Sequence, residues 1–420
     1  MKRVALFAVC VLTFGMLLAG TALAAKEITF LFMPDAPQDV YLPWMQEKAA
    51  SFEAETGVKV NVEVVPWGDA WTRISTTVAT GEGADVFQVG TTWNPQFAAT
   101  GGLAEIDIAE FGGKDVFMPA NLDSTTYKDK NYGVPWFAET RVLFYNKDMF
   151  AEAGITELPK TQEDIITVGK QLVQKFGEGK AMAIAGTNAW DLIHNWAIIL
   201  WGNGGTILHE NNTEAAFNSQ AGVDAMKWYV RLLQEGLASK ACAEYNQPQA
   251  DAAFINGNVA MVFMGPWNIA GIEHDNPALN YDVVEPPIGP AGKASFAGGS
   301  NLAILEASPN KDAAKAWIQY LLKDEIAVDH AKNLTHMMPS KISAYADPYY
   351  ESGVWSTFKT VLGYATAYPP LGVWGDIERA IQEGFSATLR DYIDGKYTED
   401  TAKMHLDKAV EVVNAALAKE

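Results

Sequence analysis

Five tryptophans of this sequence stand beside turn-forming residues rather than inside helix-like stripes. A flat indole ring can cover the apolar C–H face of a pyranose ring, while carboxylates, amides and backbone groups bind the hydroxyls on its rim. Because loop aromatic residues are harder to bury by packing alone, these side chains are predicted to line a ligand cleft. They are Trp67, Trp93, Trp136, Trp267 and Trp374.

Four other tryptophans fall inside helix-like patterns, namely Trp44, Trp196, Trp228 and Trp317. Large apolar residues at helical spacing belong to a core more often than to a binding surface. We therefore predict that these four side chains are packed in the interior and take no part in binding.

Sequence signatures of catalysis and metal binding are missing. The chain contains no G-x-S-x-G, H-E-x-x-H or Walker A motif, and Gly298-Gly299-Ser300 is interpreted as a turn rather than a nucleophile elbow. The closest histidines, His330 and His336, are six positions apart, which matches no usual zinc spacing. We expect no catalytic residue, no metal and no cofactor.

The charge balance excludes one large class of partner. The chain has 420 residues with 31 Lys and Arg against 51 Asp and Glu, a formal net charge of −20. Nucleic-acid binding needs a basic footprint, which neither the composition nor any run of residues supplies. Two cysteines exclude a disulfide scaffold. The length predicts a globular chain of two or three lobes.

The first 24 residues have the pattern of an export signal. Two basic residues precede an apolar run at 4–20, and Ala-Leu-Ala at 22–24 fits a cleavage site, so the mature chain would begin near Ala25. Cys242 would then be its only cysteine. An uncleaved anchor helix is the alternative, because the run is long enough to span a membrane. The small residues at its end favour cleavage.

Strand-like and helix-like patterns alternate after the signal. Residues 28–33, 58–65 and 86–89 are predicted strands, and residues 40–56 and 69–80 are predicted helices. This order predicts an α/β lobe with a mostly parallel sheet. Ligands bind beyond the carboxyl ends of such strands. In this chain those ends lie at 33–39, 66–71 and 90–94.

A second lobe is predicted to begin near Arg141. Residues 142–145 form the first strand of this lobe, and Thr161 caps a helix that runs to Phe176. A later strand is predicted at 302–305, and the last third of the chain is predicted to be helical.

Four stretches of sequence occur in a fixed order behind the export signal. They are GADVFQ at 83–88 with GGL at 101–103, YGVP at 132–135 with YNKDMF at 145–150, FINGNVAM at 254–261 with GPW at 265–267, and GG at 298–299 with SPNK at 308–311. Together they resemble the family-1 extracellular solute-binding proteins, the maltose-binding-protein-like receptors of ABC sugar importers. The resemblance spans essentially the whole mature chain.

This resemblance implies an α/β fold of the two-lobed periplasmic-binding-protein type, class II. A three-segment hinge would join the lobes, with the ligand cleft between them. The N-terminal lobe would comprise 26–138 plus 294–338, and the C-terminal lobe 139–292 plus 339–420. The crossings would lie near 138–141, 290–296 and 338–341.

The resemblance also assigns site residues by position. Trp267 and Trp374 match the family's aromatic platforms, and Glu139 matches a hinge carboxylate that accepts sugar hydroxyls. Thr92 and Trp93 stand where maltose-type receptors place an Asp and an Arg. This departure removes two charged hydroxyl binders, so maltose itself is not expected.

The remaining candidates come from neighbouring positions. His194 falls near a tyrosine of those receptors, with Trp190 one helical turn before it, and Gly299 can offer backbone groups close to a ligand. Arg141 is either a ligand-binding residue or part of a hinge salt bridge. With Trp67 and Trp136, these residues complete the predicted ligand-binding set.

The function implied is that of a periplasmic, monomeric substrate-binding component. It would bind a carbohydrate, a disaccharide or longer, and deliver it to the permease of an ABC importer without catalysing a reaction. One alternative is a secreted carbohydrate-active hydrolase, for which Glu139 with Asp376 is the only pair of carboxylates we can propose. The other is a receptor for a glycerophosphodiester or polyol, with Arg141 and Arg73 as the basic residues near the cleft.

Overall fold

The computed structural model describes residues 27–187 and 189–420, without the side chains of residues 189 and 190. The predicted export signal lies outside the described residues. None of the helices in the described ranges is long and apolar enough to cross a membrane.

The described chain contains strands and helices in alternation, followed by a helical C-terminal part. The strands are β1 (Glu27–Phe32), β2 (Lys59–Val64), β3 (Val86–Gly90), β4 (Thr126–Tyr127), β5 (Lys130–Asn131), β6 (Val134–Thr140), β7 (Val142–Asn146), β8 (Met261–Met264), β9 (Tyr281–Val284), β10 (Ala297–Ile304) and β11 (Met338–Pro339). The α-helices are α1 (Gln38–Thr56), α2 (Trp67–Thr80), α3 (Asn94–Ala99), α4 (Pro119–Asp123), α5 (Lys147–Glu152), α6 (Gln162–Phe176), α7 (Ala189–Gly202), α8 (Gln220–Gln234), α9 (Gln247–Ile255), α10 (Trp267–Asp275), α11 (Lys311–Leu321), α12 (Asp324–Asp329), α13 (Gly353–Leu362), α14 (Trp374–Ile393) and α15 (Glu399–Leu417).

The larger sheet has six strands in the order β11-β6-β10-β3-β1-β2. Strand β1 pairs in parallel with β2 and β3, as the sequence predicts. Strand β10 is antiparallel to β3 and β6, and β11 is antiparallel to β6. The prediction of a mostly parallel sheet is therefore wrong beyond the first three strands. Parallel pairing with the preceding strand of the same sheet needs a helical crossover. The chain instead reaches β10 from β9, which belongs to the smaller sheet.

The smaller of the two main sheets is antiparallel, in the order β8-β7-β9. Helices α6, α7, α8, α14 and α15 pack against it in one continuous apolar core. Strand β6 ends at Thr140 and β7 begins at Val142, so a single residue, Arg141, separates a strand of one sheet from a strand of the other. We propose that the lobes divide at the three crossings predicted above.

Three of the four helix-borne tryptophans are packed in the interior as predicted, and Trp44 is the exception. Trp196 and Trp317 are fully buried and Trp228 is 5% exposed. Trp317 contacts Phe30 and Phe52 with ring centroids 5.9 and 5.2 Å apart. Trp44 is only partly buried, packs at the edge of the core, and donates its Nε1–H to Asp329 Oδ2 at 2.7 Å.

Two local predictions have different outcomes. The N-cap predicted at Thr161 is confirmed and belongs to a capping box, because the Thr161 side chain accepts from Asp164 N and the Asp164 carboxylate accepts from Thr161 N. The turn predicted at Gly298-Gly299-Ser300 is wrong, because these residues lie inside β10. Gly299 has φ 137° next to a register shift between Ser300 and Asn301, so the glycines serve an irregular strand.

Candidate functional site

Residues of the larger sheet and of the helices α7, α9 and α10 line a cavity of about 170 Å³. All three predicted strand-end segments contribute to its wall, through Asp35 after β1, Trp67 after β2 and Thr91 after β3. The opposite wall comes from residues near the N-termini of α7, α9 and α10. The site therefore lies beyond the carboxyl ends of the parallel strands, where α/β sheets place their ligands.

Eight of the eleven ligand-binding candidates line this cavity. They are Trp67, Thr92, Trp93, Glu139, Arg141, His194, Trp267 and Gly299. Trp136 and Trp374 do not line it, and the side chain of Trp190 lies outside the described part of the chain.

The wall next to the larger sheet is built around Asp35, a carboxylate that is 6% exposed. Its Oδ1 accepts from Trp67 Nε1 at 3.1 Å, and its Oδ2 accepts from Gln88 Nε2 at 2.9 Å. The Gln88 Oε1 accepts from Met33 N at 2.9 Å, which fixes the orientation of the amide. Burial raises the pKa of Asp35 to about 7 against the opposing effect of these hydrogen bonds.

Two indoles line the same wall with their rings at an angle. The rings of Trp67 and Trp93 meet edge to face, with centroids 5.6 Å apart and an interplanar angle of 64°. Trp93 is 2% exposed and also meets Trp71 edge to face at 5.5 Å. Trp67 is the more accessible of the two indoles in the cavity wall.

The passage between the sheets carries a buried group of charges. Arg141 Nη2 donates to Asp191 Oδ1 at 2.9 Å and lies 3.4 Å from Glu139 Oε1. Arg141 Nε is 3.3 Å from Glu139 Oε2, but not in hydrogen-bond geometry. Glu139 Oε2 and Arg141 Nη1 are buried without a hydrogen-bond partner. A ligand hydroxyl can pair with either group, because it both donates and accepts.

Burial is the largest influence on the protonation of the Glu139 carboxylate. It raises the pKa of Glu139 to about 7, although Arg141 opposes the shift. Because the guanidinium is shared between Glu139 and Asp191, it does not fully compensate the charge of Glu139.

Trp267 lies beneath this guanidinium. The Arg141 Cζ atom is 4.4 Å from the centroid of the Trp267 ring, a cation–π contact. The indole predicted to be a sugar platform therefore supports a positive charge in this structure, while its partly exposed surface contributes to the cavity wall.

A third buried carboxylate, Asp251, lies on the side of the smaller sheet. Its Oδ1 accepts from Gln247 Nε2 at 2.6 Å and its Oδ2 from Asn268 Nδ2 at 2.9 Å. Gln247 is held in turn by Asn195, whose Nδ2 donates to its Oε1 at 2.9 Å. Burial raises the pKa of Asp251 to about 7.

His194 forms an apolar part of the wall. Its ring stacks on Phe296 with centroids 3.8 Å apart and an interplanar angle of 7°. Its Nδ1 lies 3.0 Å from Tyr368 Oη. Burial, together with the nearby Arg141, holds the pKa of His194 well below its ordinary range, so the ring is neutral at physiological pH.

Trp136 is not a cleft residue, which corrects the sequence prediction. Pro135 and Trp136 resemble a turn, but both lie inside β6, and neighbouring side chains of a strand point to opposite faces. Trp136 packs into the core of the larger sheet, stacked on His330 at 4.7 Å and edge-on to Phe30 at 6.1 Å. The side chain that reaches the cavity from this part of β6 is Phe137.

Trp374 likewise does not line the cavity. It is the first residue of α14 and 1% exposed, and it packs with the core of the smaller sheet. Its ring stacks on Tyr368 at 4.5 Å and its Nε1 donates to Glu378 Oε1 at 3.0 Å. Tyr368 covers the face of the Trp374 ring that a sugar would need. A local sequence pattern does not reveal this contact.

Each alternative function finds only one of its two predicted residues in the cavity, Glu139 for the hydrolase and Arg141 for the phosphodiester or polyol receptor. Asp376, proposed as the second carboxylate of a hydrolase, is exposed, pairs with Arg379 at 3.3 Å and does not line the cavity. Arg73, proposed for a phosphodiester, donates to both oxygens of Glu63 at 2.8 and 3.0 Å and is also outside it. Within the described ranges, no group of three or more His, Cys, Asp or Glu could hold a metal ion.

Four carboxylate or amide side chains of the cavity were not predicted from the sequence, although spacing carried a signal for three of them. Asp191 precedes His194 by three positions on α7, and Gln247 precedes Asp251 by four on α9. Residues at these separations share one face of a helix. The fourth, Asp35, lies within the predicted strand end at 33–39.

Comparisons with known proteins agree with this architecture. A family model described as bacterial extracellular solute-binding protein matches residues 36–328. A putative binding protein of Brucella abortus is 27% identical over 341 residues, which cover 80% of this chain and 82% of that protein. The diacetylchitobiose binding protein DasA of Streptomyces coelicolor is 30% identical over 314 residues, covering 72% of this chain and 70% of the relative.

Solved structures show the same two-lobed fold. An ABC transporter solute-binding protein from Thermotoga lettingae, bound with α-D-tagatose, has a TM-score of 0.85 at 25% identity, covering 93% of this chain and all of that one. Maltose-bound MalE3 of T. maritima has a TM-score of 0.82 at 22% identity and covers 94% of this chain and all of that one. The fold class and the family predicted from the sequence are confirmed. This chain belongs to the bacterial extracellular solute-binding proteins, whose family model spans most of its length.

Proposed function

We propose that this protein is the substrate-binding component of an ABC importer and that it holds a carbohydrate in the cavity between its lobes. The observation that carries the proposal is the pair of buried, unpartnered groups at the passage between the sheets. Glu139 Oε2 needs a donor and Arg141 Nη1 needs an acceptor. Leaving such groups unpaired costs about 1–3 kcal/mol each, or more when they are charged. A polyhydroxylated ligand supplies both partners.

The aromatic residues support a sugar rather than another polar ligand. Trp67, Trp93 and Trp267 line the cavity together with carboxylates and amides, and a sugar ring offers an apolar face as well as hydroxyls. Two of the five indoles from which we predicted a disaccharide or longer lie elsewhere. We therefore propose a short carbohydrate. The names of the relatives, which include binders of diacetylchitobiose and maltodextrin, point to the same ligand class.

The other functions receive less support. Of the described residues that line the cavity, Arg141 alone is a lysine or arginine, and it already pairs with two carboxylates. A phosphodiester would meet more negative than positive charge there. We also propose that the sugar leaves unchanged, that the chain is exported with cleavage near Ala25 into the periplasm, and that a membrane permease receives the sugar from the monomeric protein.

A thermal-shift screen of the mature protein tests this function. The ligands are monosaccharides, disaccharides, oligosaccharides, polyols and glycerophosphodiesters. A ligand at 100 times its Kd should stabilise by about 2.7 kcal/mol, which raises the Tm of an ~400-residue chain by about 3 °C. The sugar should be recovered chemically unchanged from the mixture.

Two variants make the screen specific. Glu139→Gln should lose most of the shift, whereas Glu105→Gln, an exposed residue that pairs with Lys130, should keep it. Consumption of the sugar would contradict the binding role. A shift with glycerophosphodiesters alone would contradict the carbohydrate assignment.

A further inference from the structure

The charges that line the cavity do not balance. Four carboxylates, Asp35, Glu139, Asp191 and Asp251, line it against one guanidinium, Arg141. His194 is neutral, because burial lowers its pKa. With all four carboxylates ionised, the titratable groups that line the cavity would sum to a net charge of −3, and two of these carboxylates, Asp35 and Asp251, belong to residues that are 5–6% exposed.

The single guanidinium is shared by two of these carboxylates. Arg141 lies 2.9 Å from Asp191 Oδ1 and 3.3 Å from Glu139 Oε2, and its other contact is the ring of Trp267. One positive charge cannot neutralise both Glu139 and Asp191. Glu139 Oε2 accordingly remains without a hydrogen bond, although the Glu139 side chain is 9% exposed and lines the cavity.

The other two carboxylates pair only with neutral donors. Asp35 accepts from an indole and an amide, and Asp251 accepts from two amides. Neutral donors satisfy lone pairs, but they do not remove the cost of a desolvated charge, which is several kcal/mol per ion in proteins. The raised pKa values of Asp35 and Asp251, both about 7, are a consequence of this cost.

A neutral sugar would leave this imbalance as it is, whereas a cation would reduce it. Charge-assisted hydrogen bonds from an ammonium group to carboxylates are about twice as strong as neutral ones. Indole faces also attract cations, and Trp267 already does so with Arg141. We propose that the carbohydrate bound in this cavity carries a protonated amine, as an amino sugar or a short amino-sugar oligomer does. This inference rests on the proposed function and narrows its ligand class.

The direct test compares matched sugars that differ only in one substituent. Glucose, galactose, mannose and cellobiose are each compared with the 2-amino and the N-acetylamino counterpart, by isothermal titration calorimetry of the mature protein at pH 7. In the series that the protein binds most tightly, we expect the 2-amino sugar to bind at least tenfold more tightly than both the parent sugar and the N-acetylamino sugar. Equal or tighter binding of a neutral member overturns the charge inference and leaves the carbohydrate function standing. If no member of any series binds, both the inference and the proposed function fail.

A variant identifies the source of the preference. Asp251→Asn should reduce the ratio of amine to parent-sugar affinity at least tenfold, while the parent sugar changes much less. Asp376→Asn, which removes an exposed carboxylate outside the cavity in the same part of the chain, should leave the ratio unchanged. An equal loss of affinity for both sugars would assign Asp251 a structural role and contradict the inference.

A second carboxylate provides an independent check if Asp251→Asn does not fold. Asp35→Asn, on the opposite wall, should lower the same ratio. Raising the salt concentration from 50 to 500 mM should weaken the amine more than its parent sugar, because ionic attraction is screened. An unchanged ratio in Asp35→Asn and at high salt would also overturn the inference.

Discussion

At the scale of single residues, the cavity is a case of carboxylates held in place without being neutralised. Asp35 is oriented by the Trp67 indole and by Gln88, whose own amide is fixed by a backbone N–H. Such positioning keeps the acceptor oxygens rigid, which lowers the cost of ordering them when a ligand binds. The same burial makes the ionised state costly.

Asp35→Asn should therefore change how stability depends on pH. The folded-state pKa of Asp35 is raised from its ordinary 3.8 to about 7, so its contribution to stability is full below about pH 4 and is lost as the pH rises to about 7. The variant lacks this loss. Its Tm relative to the wild type should increase by about 2–4 °C between pH 4.5 and pH 7.5, at about 1 °C per kcal/mol for an ~400-residue chain.

Differential scanning calorimetry of unliganded protein measures this trend. The measured quantity is the change with pH in the Tm difference between the variant and the wild type. Any effect of the amide on Tm that does not depend on pH therefore cancels. Asp376→Asn reports the effect of removing one exposed charge. A pH-independent difference for Asp35→Asn would show that the carboxylate is ionised in the folded protein throughout this range.

At the scale of elements, β10 connects the middle of the larger sheet to the cavity. It lies between β6 and β3 in the larger sheet, and its Gly299 lines the ligand space. A Cβ atom at Gly299 would lie 2.1 Å from Phe137 O, and φ there is 137°. The residue is thus glycine because the neighbouring backbone of β6 occupies the space of a side chain.

Gly299→Ala should be destabilising, because the new Cβ atom would overlap the backbone of β6. A matched control with the same φ separates this steric effect from backbone strain. Gly292 has the same φ of 137°, but no atom lies within 4 Å of a Cβ placed there. We expect Gly299→Ala to lower the free energy of unfolding by about 1–3 kcal/mol more than Gly292→Ala, as overpacking does. Urea unfolding of both variants measures the difference. Equal losses would mean that β10 and β6 move apart at little cost.

At the scale of the whole molecule, the lobes are in contact outside the cavity. Gln96 Oε1 in α3 accepts from Gly375 N in α14 at 3.1 Å, and Asp39 Oδ2 in α1 lies 3.2 Å from His274 Nε2 in α10. Most of the residues that line the cavity are buried, which fits a closed arrangement of the two lobes. A ligand favours such a state only by binding it more tightly than the open one, so contacts away from the ligand also tune affinity.

Gln96→Ala should weaken sugar binding although Gln96 does not line the cavity. Loss of one hydrogen bond worth about 0.5–1.5 kcal/mol from the closed state alone should raise the Kd about 2- to 10-fold. Small-angle X-ray scattering should show a larger radius of gyration without ligand and an unchanged one at saturation. Gln319→Ala, whose amide donates to Glu110 O on the larger-sheet side, is the control. Equal Kd values for both variants would exclude a contribution of the α3–α14 contact to closure.

The sequence by itself determined the features that depend on near neighbours. The start of α6 follows from Thr161 and Asp164, three positions apart, and the parallel strands β1 to β3 follow from their alternation with helices. The ordered family segments were sufficient for the two-lobed fold. The wall position of Trp67 was also predictable, since it follows a strand end.

Only the tertiary structure decided which polar and aromatic groups share the cavity. Trp136 and Trp374 resemble Trp67 in local sequence, yet a strand interior and a stacked tyrosine direct them into cores. Arg141 meets Asp191 across 50 positions of sequence. Side-chain direction and the charge balance of an enclosed space depend on segments far apart in the chain, and a local pattern carries no record of which segments come together.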